Sequence, residues 1–316
     1  MAQRSNQDWR RFLDPNTTEM PTGRDLYEAF RDGDRSRVSL ASQDTRKKHK
    51  WGVDWNLDFM EPDGVLAVPG SRKALGMWVE SLMDEVDEVT MLTLSSDLHH
   101  PLQIFFPTLW MYGTGRMAGQ MLRPSNFVTG EITYVRSADL DSGLIVPTYD
   151  PDWQDYYVRQ LESSGGKTLT IYDFHCMEGS LGAAFVPAVQ VATKYWEGRR
   201  GARASVWFKG NFWGTEMYAP QEAEVPHPHD TNSVITGVYD DLEEADETEI
   251  GGLAETHCVL EFNKKNVKRF ENRRPEVLAT LTLRRSMTAP IPYPGYEQEL
   301  AANYQLFAQH NIRVID

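Results

Sequence analysis

The chain has 316 residues, which can bury a sizeable core as one large domain with elaborations or as two small domains. Its 41% hydrophobic and 25% charged residues are ordinary for a soluble globular protein. Acidic residues outnumber basic ones by 46 to 32, and the net charge of −14 disfavours a nucleic-acid partner, because phosphate contacts need a basic surface. A neutral or cationic small substrate is compatible with this charge.

The cysteine content and the N-terminus bear on the compartment. Cys176 and Cys258 are too few for a disulfide scaffold, although one bridge remains open, and they favour a reducing compartment. Residues 1–11 are polar and lack the apolar segment of a signal peptide, and no apolar run is long enough to span a bilayer. We therefore predict a cytoplasmic protein without a membrane partner.

Short β-rich runs alternate with longer segments of helical period, which is the pattern of a parallel sheet covered by helices. Strands are predicted at 51–56, 89–94, 168–174, 204–208, 249–254, 277–283 and 312–315. Crossover helices are predicted around 75–86 and at 183–197, 258–270 and 296–309. The predicted fold class is α/β.

Two stretches fall outside this repeating unit. Residues 1–50 are polar and rich in Arg and Asp, and we interpret them as an N-terminal extension to a domain that spans 51–316. Residues 107–166 carry several Trp and Tyr side chains and are too long for a bare loop. They are predicted to be an insertion with structure of its own, either a lid or a subunit contact in a homo-oligomer. The acidic run 240–249 is predicted to be an exposed helix or loop before a buried strand.

Reactive side chains gather at the carboxyl ends of the predicted strands, where open parallel sheets bind ligands. Asp54 lies at or near the end of the first strand, Asp97 and His99 follow the second, and His175 follows the third. Each is weak alone, because a strand-end Asp is often a turn residue and a lone His is more often structural. Cys258 opens a predicted helix, a position expected to lower the pKa of its thiol. Together they offer a nucleophile, a base and a set of metal ligands.

Four motifs around these residues resemble those of the isochorismatase-like cysteine hydrolases, and within them the nicotinamidases. Residues 54–59 and 64–70 resemble the opening Asp-x-Gln-x-Asp-Phe and Gly-x-Leu-x-Val-x-Gly segments, and 97–99 resemble the Asp-Trp-His motif. Residues 172–182 are similar to the Trp-Pro-x-His-Cys stretch, and 252–259 to the nucleophile turn. The resemblance covers about 51–106 and 168–316. It implies a three-layer α/β/α fold with a six-stranded, mostly parallel sheet.

The resemblance also implies catalytic roles. Asp54 would take the proton of Cys258, and Lys209 would lie between them and stabilise charge, although this lysine taken alone is typical of an exposed side chain. The backbone amides of Ala254 and Cys258 would form the oxyanion hole, with a cis peptide bond before Ala254. The predicted reaction is hydrolysis of an amide through a thioester.

A metal site and a ring site are implied as well. Asp97, His99 and His175 would hold a divalent metal ion, with Zn²⁺ favoured and Fe²⁺ or Mn²⁺ as alternatives. Phe59 and Tyr172 would sandwich the substrate ring. Nicotinamide or a close ring amide is therefore the predicted substrate, and the acid and ammonia are the products.

The sequence departs from the family pattern at several motif positions, namely Asn56, Leu98, Tyr172, Asp173 and Thr256. Gln103 and Phe105 stand where relatives often have a further histidine. Competing sites are few: His227 and His229 lie in a Pro-rich loop expected to be exposed, His100 competes with His99, and Cys176 is expected to be a buried thiol. Two alternatives stay open, a metal-free amidase of the N-carbamoylsarcosine or ureidoacrylate kind and a non-catalytic protein that binds a ring ligand.

Overall fold

A computed structural model of the chain describes residues 8–127, 129–165 and 167–316. Its strands are β1 (Lys48–Val53), β2 (Val89–Asp97), β3 (Trp110–Tyr112), β4 (Tyr134–Val135), β5 (Ile145–Pro147), β6 (Leu169–Thr170), β7 (Ser205–Lys209), β8 (Glu247–Leu253), β9 (Leu281–Ala289) and β10 (Arg313–Ile315). Its α-helices are α1 (Gly23–Arg35), α2 (Ser71–Asp84), α3 (Ser137–Asp141), α4 (Pro151–Gly165), α5 (Pro187–Arg200), α6 (Thr236–Glu244), α7 (Cys258–Phe270), α8 (Pro275–Leu278) and α9 (Tyr296–Gln309). No helix within these ranges is long and apolar enough to cross a membrane.

The central sheet has six strands in the order β10-β9-β8-β1-β2-β7, and every neighbouring pair is parallel. Both faces are covered, as parallel sheets require. Leu92 and Leu94 of β2 share a core with the apolar faces of α2 and α5. Trp51 of β1 and Ile250 of β8 share another with α6, α7 and α9. The predicted α/β/α fold with its six-stranded sheet is confirmed.

Most of the predicted elements match those observed. The bounds of α7 and α9 are those predicted, while β1 begins three residues earlier than expected. The predicted strand at 277–283 begins instead as the short helix α8, where Pro275 occupies a first-turn position that needs no amide donor. The acidic run 240–249 spans the end of α6 and the start of β8.

One predicted strand, at 168–174, is wrong. Only Leu169 and Thr170 are extended in a ladder, and they pair with β4 in an antiparallel ribbon outside the central sheet. The next two amides also bond to other partners, since Ile171 donates to the Thr133 carbonyl and Tyr172 donates to the Phe105 carbonyl. The segment has the residue composition of a strand, but its backbone hydrogen bonds are formed with the insertion and with a neighbouring loop.

The N-terminal extension forms a further helix on the outside of α5. Residues 1–7 lie outside the described part, and α1 packs along α5. The two backbones approach closely at Gly33 and Gly198, where an added Cβ would collide with a backbone oxygen of the facing helix. A small core containing Trp9 and Phe12 closes the end of this contact.

The insertion has structure of its own. It contains an antiparallel ribbon of β3 and β5, the strand β4, and the helices α3 and α4. Tyr157, Val158 and Leu161 of α4 are buried in the larger core, so the insertion is packed onto the domain. Gly166, the last residue of the predicted insertion, lies outside the described residues. Its role as a lid or a subunit contact stays a prediction.

Candidate active site

The predicted reactive residues lie at the carboxyl ends of the four neighbouring strands β8, β1, β2 and β7. Asp54 follows β1, Asp97 ends β2, Lys209 ends β7, and Cys258 opens the helix after β8. Asp97 and Lys209 are register partners across β2 and β7. The sheet order therefore brings together residues that are more than 200 positions apart in the chain.

Lys209 lies at the centre of the site. Its Nζ is 3.0 Å from Oδ2 of Asp54, donates to Sγ of Cys258 at 3.6 Å, and contacts Oδ1 of Asp97. All four side chains are buried. Oδ1 of Asp54 accepts a hydrogen bond of 2.8 Å from the Ser95 hydroxyl, which fixes the other edge of the carboxylate. Lys209 is thus a buried cation between two carboxylates, and not the exposed side chain that a lysine taken alone would suggest.

Burial and neighbouring charges set the protonation of these groups. Burial, reinforced by the charge of Asp97, raises the pKa of Asp54 to about 6 although Lys209 acts against it. Burial opposes the charge of Lys209, but Asp54 and Asp97 outweigh that effect and raise its pKa well above the usual value. The lysine therefore stays cationic, while Asp54 ionises near neutral pH and can exchange a proton.

The expectation of a lowered pKa for Cys258 is wrong. Burial, together with the negative charges of Asp54 and Asp97, raises the pKa of its thiol well above the usual value, although Lys209 acts in the opposite direction. The helix N-terminus does not overcome these effects. Because the resting group is a thiol, a base must remove its proton as it reacts, and Asp54 is close enough to do so.

The turn between β8 and α7 presents two backbone amides beside the thiol. A cis peptide bond joins Leu253 to Ala254, as the resemblance implied. Within the described residues, the amides of Ala254 and Cys258 donate to no other protein group. They are available to a ligand beside the sulfur atom, which is the requirement for the predicted oxyanion hole.

Asp97, His99 and His175 form a cluster whose ligand atoms all lie within 4.8 Å of one another. Nδ1 of His99 bonds the Gly210 carbonyl at 2.9 Å, and Nδ1 of His175 bonds the Asp173 carbonyl at 2.8 Å. These contacts fix the rings and direct both Nε2 atoms into the cluster, where that of His99 lies 3.7 Å from Oδ2 of Asp97. Burial and the neighbouring imidazole lower the pKa of His175 to about 3, so the ring is neutral. The three residues fit a Zn²⁺ ion in donor type and number.

A second group of potential ligand atoms, those of Asp54, Asp97 and Cys258, also lies within 4.8 Å. This group surrounds the ammonium of Lys209, whose charge competes with a metal ion for the same oxygens. The cluster with the two histidines is the better metal site. Asp97 belongs to both groups.

The competing residues do not join either group. Gln103 contacts the same Gly210 carbonyl that His99 bonds, and Phe105 packs its edge against His99 at 5.0 Å between ring centroids. Both positions support His99 instead of adding a ligand. Nδ1 of His227 accepts a hydrogen bond from the amide of His229, and its ring packs 4.1 Å from Trp153 between centroids. The expectation of exposure is wrong for His227, which is buried.

Cys176 is fully buried, as expected, and burial raises the pKa of its thiol well above the usual value. Its sulfur donates a weak hydrogen bond to the Gly182 carbonyl, and its amide donates to Oδ2 of Asp58. His100 is partly buried, and its amide donates to the Gln103 side chain. Neither residue belongs to the groups that surround Lys209 or the two clustered histidines.

A small cavity opens between the sulfur and the metal cluster, and Phe59 and Tyr172 both line it. Their ring centroids lie 5.9 Å and 5.7 Å from that of His175. Sequence reasoning missed Glu216, a buried wall residue whose pKa is raised to about 7 by burial. The signal that could have identified it is a lone acidic residue within the aromatic segment after Lys209.

The six-stranded parallel sheet and the strand-end site define the class, an α/β protein with the isochorismatase-like fold. Among solved structures, the yeast nicotinamidase is similar with a TM-score of 0.54 and 17% sequence identity, covering 85% of this chain and 99% of that chain. The same values hold for that enzyme bound to the inhibitor nicotinaldehyde. An Acinetobacter baumanii nicotinamidase/pyrazinamidase is similar with a TM-score of 0.52 and 14% identity, covering 87% and 98%. No protein-family model and no curated protein matches the sequence.

Proposed function

We propose that the protein is a metal-containing cysteine amidohydrolase that converts nicotinamide, or a close ring amide, to the acid and ammonia. The observation that carries the proposal is the placement of Asp54, Lys209 and Cys258 in mutual contact at the strand ends. Asp97 and His175 of the metal cluster line the same cavity as Cys258. The yeast and Acinetobacter baumanii enzymes with a similar fold are nicotinamidases, which supports the same activity.

In the first half of the reaction, Asp54 accepts the proton of the Cys258 thiol as the sulfur attacks the amide carbonyl carbon. The amides of Ala254 and Cys258 hold the negative oxygen that forms. Asp54 then passes its proton to the amide nitrogen, the C–N bond breaks, and ammonia leaves. A thioester on Cys258 remains.

In the second half, water attacks the thioester carbonyl and gives a proton to Asp54. The C–S bond breaks, the acid leaves, and the proton returns to the sulfur. Lys209 remains cationic throughout, and its contacts with Asp54 and Asp97 keep the base oriented toward Cys258. The pKa of Asp54, about 6, suits a group that accepts and returns a proton near neutral pH.

In this proposal the metal ion helps to bind the substrate. Asp97, His99 and His175 would hold it, and when bound it supplies a Lewis acid that orients a ring nitrogen and polarises the substrate. Phe59 and Tyr172 bracket the ring from the walls of the cavity. A ring amide with an exposed nitrogen lone pair is the substrate that uses both features.

The test is ammonia release from nicotinamide by purified, zinc-loaded protein. Cys258→Ala should abolish release, and the matched variant Cys176→Ala should retain it, because the second sulfur is buried outside the reacting group. Chelation should abolish release, and added Zn²⁺ should restore it. Full activity in Cys258→Ala contradicts the mechanism. Chelator-insensitive turnover of another amide favours the metal-free amidase, and tight ring binding without turnover favours the non-catalytic alternative.

A further inference from the structure

A second, larger cavity adjoins the one that contains Cys258. Three side chains, those of Glu216, Tyr218 and His257, line both. The outer cavity has a volume of about 330 Å³, against about 40 Å³ for the inner one. The larger value falls in the range of ordinary small-molecule sites. The protein therefore offers far more room beside the reacting cavity than one ring amide occupies.

The outer cavity lies on the side away from the metal cluster. Asp97 and His175 line the inner cavity alone, whereas His257, next to the nucleophile, lines both. A substrate whose ring nitrogen faces the cluster can therefore extend a further group past His257 into the outer cavity.

The insertion builds much of the outer wall. Phe127, Ile132, Tyr134 and Leu161 of the insertion line the cavity. Phe127 also stacks on Tyr172, with ring centroids 5.7 Å apart and an interplanar angle of 19°. The insertion thus forms part of the wall of the outer cavity and, through Phe127, packs against Tyr172 in the wall of the inner cavity.

Apart from Glu216, the charged side chains that line the outer cavity are bonded to other side chains. Nζ of Lys167 is 2.5 Å from an oxygen of Glu224 and 2.8 Å from one of Glu261, and Nζ of Lys264 is 2.7 Å from the other oxygen of Glu261. Glu299 accepts a 2.6 Å hydrogen bond from the Tyr293 hydroxyl. A charged ligand group would have to compete with these pairs, whereas an uncharged one packs on the aromatic and aliphatic wall.

We propose that the outer cavity is a subsite for a second substrate group, so that the preferred substrate is an amide extended by an uncharged aromatic or aliphatic substituent. This inference rests on the proposed function. The substituent is carried either by the leaving amine or by the acyl ring, and both versions share the same apolar chemistry.

The first test compares kcat/KM of the zinc-loaded protein for nicotinamide and two extended amides. N-benzylnicotinamide carries its extension on the amine, and 5-phenylnicotinamide carries it on the ring. We expect at least one of them to exceed nicotinamide by roughly tenfold, since filling an apolar pocket discriminates by that order. The better of the two identifies which end of the substrate enters the outer cavity. Lower values for both extended amides would overturn the inference.

The second test fills the cavity. Ile132→Trp should lower kcat/KM for the preferred extended amide by roughly tenfold and leave that for nicotinamide within about threefold. Leu144→Trp is the matched control, because Leu144 belongs to the same insertion, is 44% exposed and lines neither cavity. If the Trp variant does not fold, Ile132→Ala, which enlarges the cavity, takes its place. This variant should change the ratio of kcat/KM for the extended amide to kcat/KM for nicotinamide without lowering nicotinamide turnover.

The outcomes separate this inference from the proposed function. Hydrolysis of nicotinamide with no gain for extended amides and an equal loss for both substrates in Ile132→Trp overturns the subsite alone. Absence of hydrolysis of every amide by folded, zinc-loaded protein overturns the proposed function, and the subsite falls with it.

Discussion

Lys209 is a buried cation that two buried carboxylates share, and its replacement gives the sharpest test of the site. Lys209→Met keeps most of the side-chain volume and removes the charge, so that Asp54 and Asp97 face each other uncompensated. Removal of one partner of a buried ion pair costs about 3–5 kcal/mol. We expect the free energy of unfolding of the metal-free protein to fall by about that amount at about pH 8.

This loss of stability should shrink as the pH falls. Without Lys209, the folded-state pKa of Asp54 and of Asp97 should lie above the unfolded value of about 3.9. A carboxyl group with a raised folded-state pKa favours the folded state at low pH, and this contribution is lost as the pH rises through that pKa. The pKa of Asp54 is already about 6 with the lysine present, so the variant should recover at about pH 5. Urea unfolding at both pH values measures the difference.

Lys50 provides a matched control within β1. It is equally buried, and its Nζ lies 2.6 Å from an oxygen of Glu249 and 3.1 Å from one of Glu85. Lys50→Met should therefore lose comparable stability and keep kcat for amide hydrolysis within about threefold. Lys209→Met should lose roughly a hundredfold or more in kcat. Equal activities in the two variants, or an unchanged unfolding midpoint for Lys209→Met at the higher pH, would refute the reasoning.

Three further predictions concern the base, the metal and the fold. The kcat/KM for amide hydrolysis should rise with pH through about 6, because Asp54 must be ionised to accept a proton, and a flat profile across that pH would contradict its role. His175→Ala should lose bound zinc in elemental analysis, whereas His229→Ala, outside the cluster, should keep it. Gly33→Ala should cost about 1–3 kcal/mol in denaturant unfolding because its Cβ meets a backbone oxygen of α5, whereas Gly23→Ala, with open space around it, should be near neutral.

The sequence predicted the parts of the fold in which local pattern and tertiary packing agree. Helix α7 has a largely buried face and follows the turn after β8, and α9 begins directly after the turn residue Gly295, so even their bounds were predictable. The position of the site was also predictable, because parallel strands place their carboxyl ends on one edge of the sheet. Asp54, Asp97 and Cys258 therefore lie together at the carboxyl ends of the strands, as the sequence predicted.

The rest depends on contacts that a local pattern does not contain. The segment at 168–174 has strand-like composition, but its amides bond to Thr133 and Phe105, which are distant in the chain. A lysine at position 209, taken alone, would be expected on the surface. The register between β2 and β7 explains why Lys209 is buried beside Asp97. The raised pKa of Cys258 comes from burial and from the charges of Asp54 and Asp97, which the helix-terminal position did not indicate.

Asp97 couples the metal site to the nucleophile, because it belongs to both groups of potential ligands. Its charge raises the pKa of Asp54 and that of Cys258 in the metal-free protein. A divalent cation held by Asp97 and the two histidines would offset this charge. A positive charge within about 4–6 Å of an acidic group lowers the pKa of that group by about one unit or more. Metal binding should therefore make the thiol easier to ionise as well as position the substrate.

This coupling predicts the pH dependence of alkylation of Cys258 by iodoacetamide in a Cys176→Ala background. Added Zn²⁺ should move the midpoint of the alkylation rate to lower pH by about one unit. In His175→Ala, which lacks one ligand of the cluster, zinc should produce no such shift. Protection of the thiol by zinc would have the opposite meaning: the ion would then bind among Asp54, Asp97 and Cys258, and the sulfur could not act as the proposed nucleophile while the metal is bound.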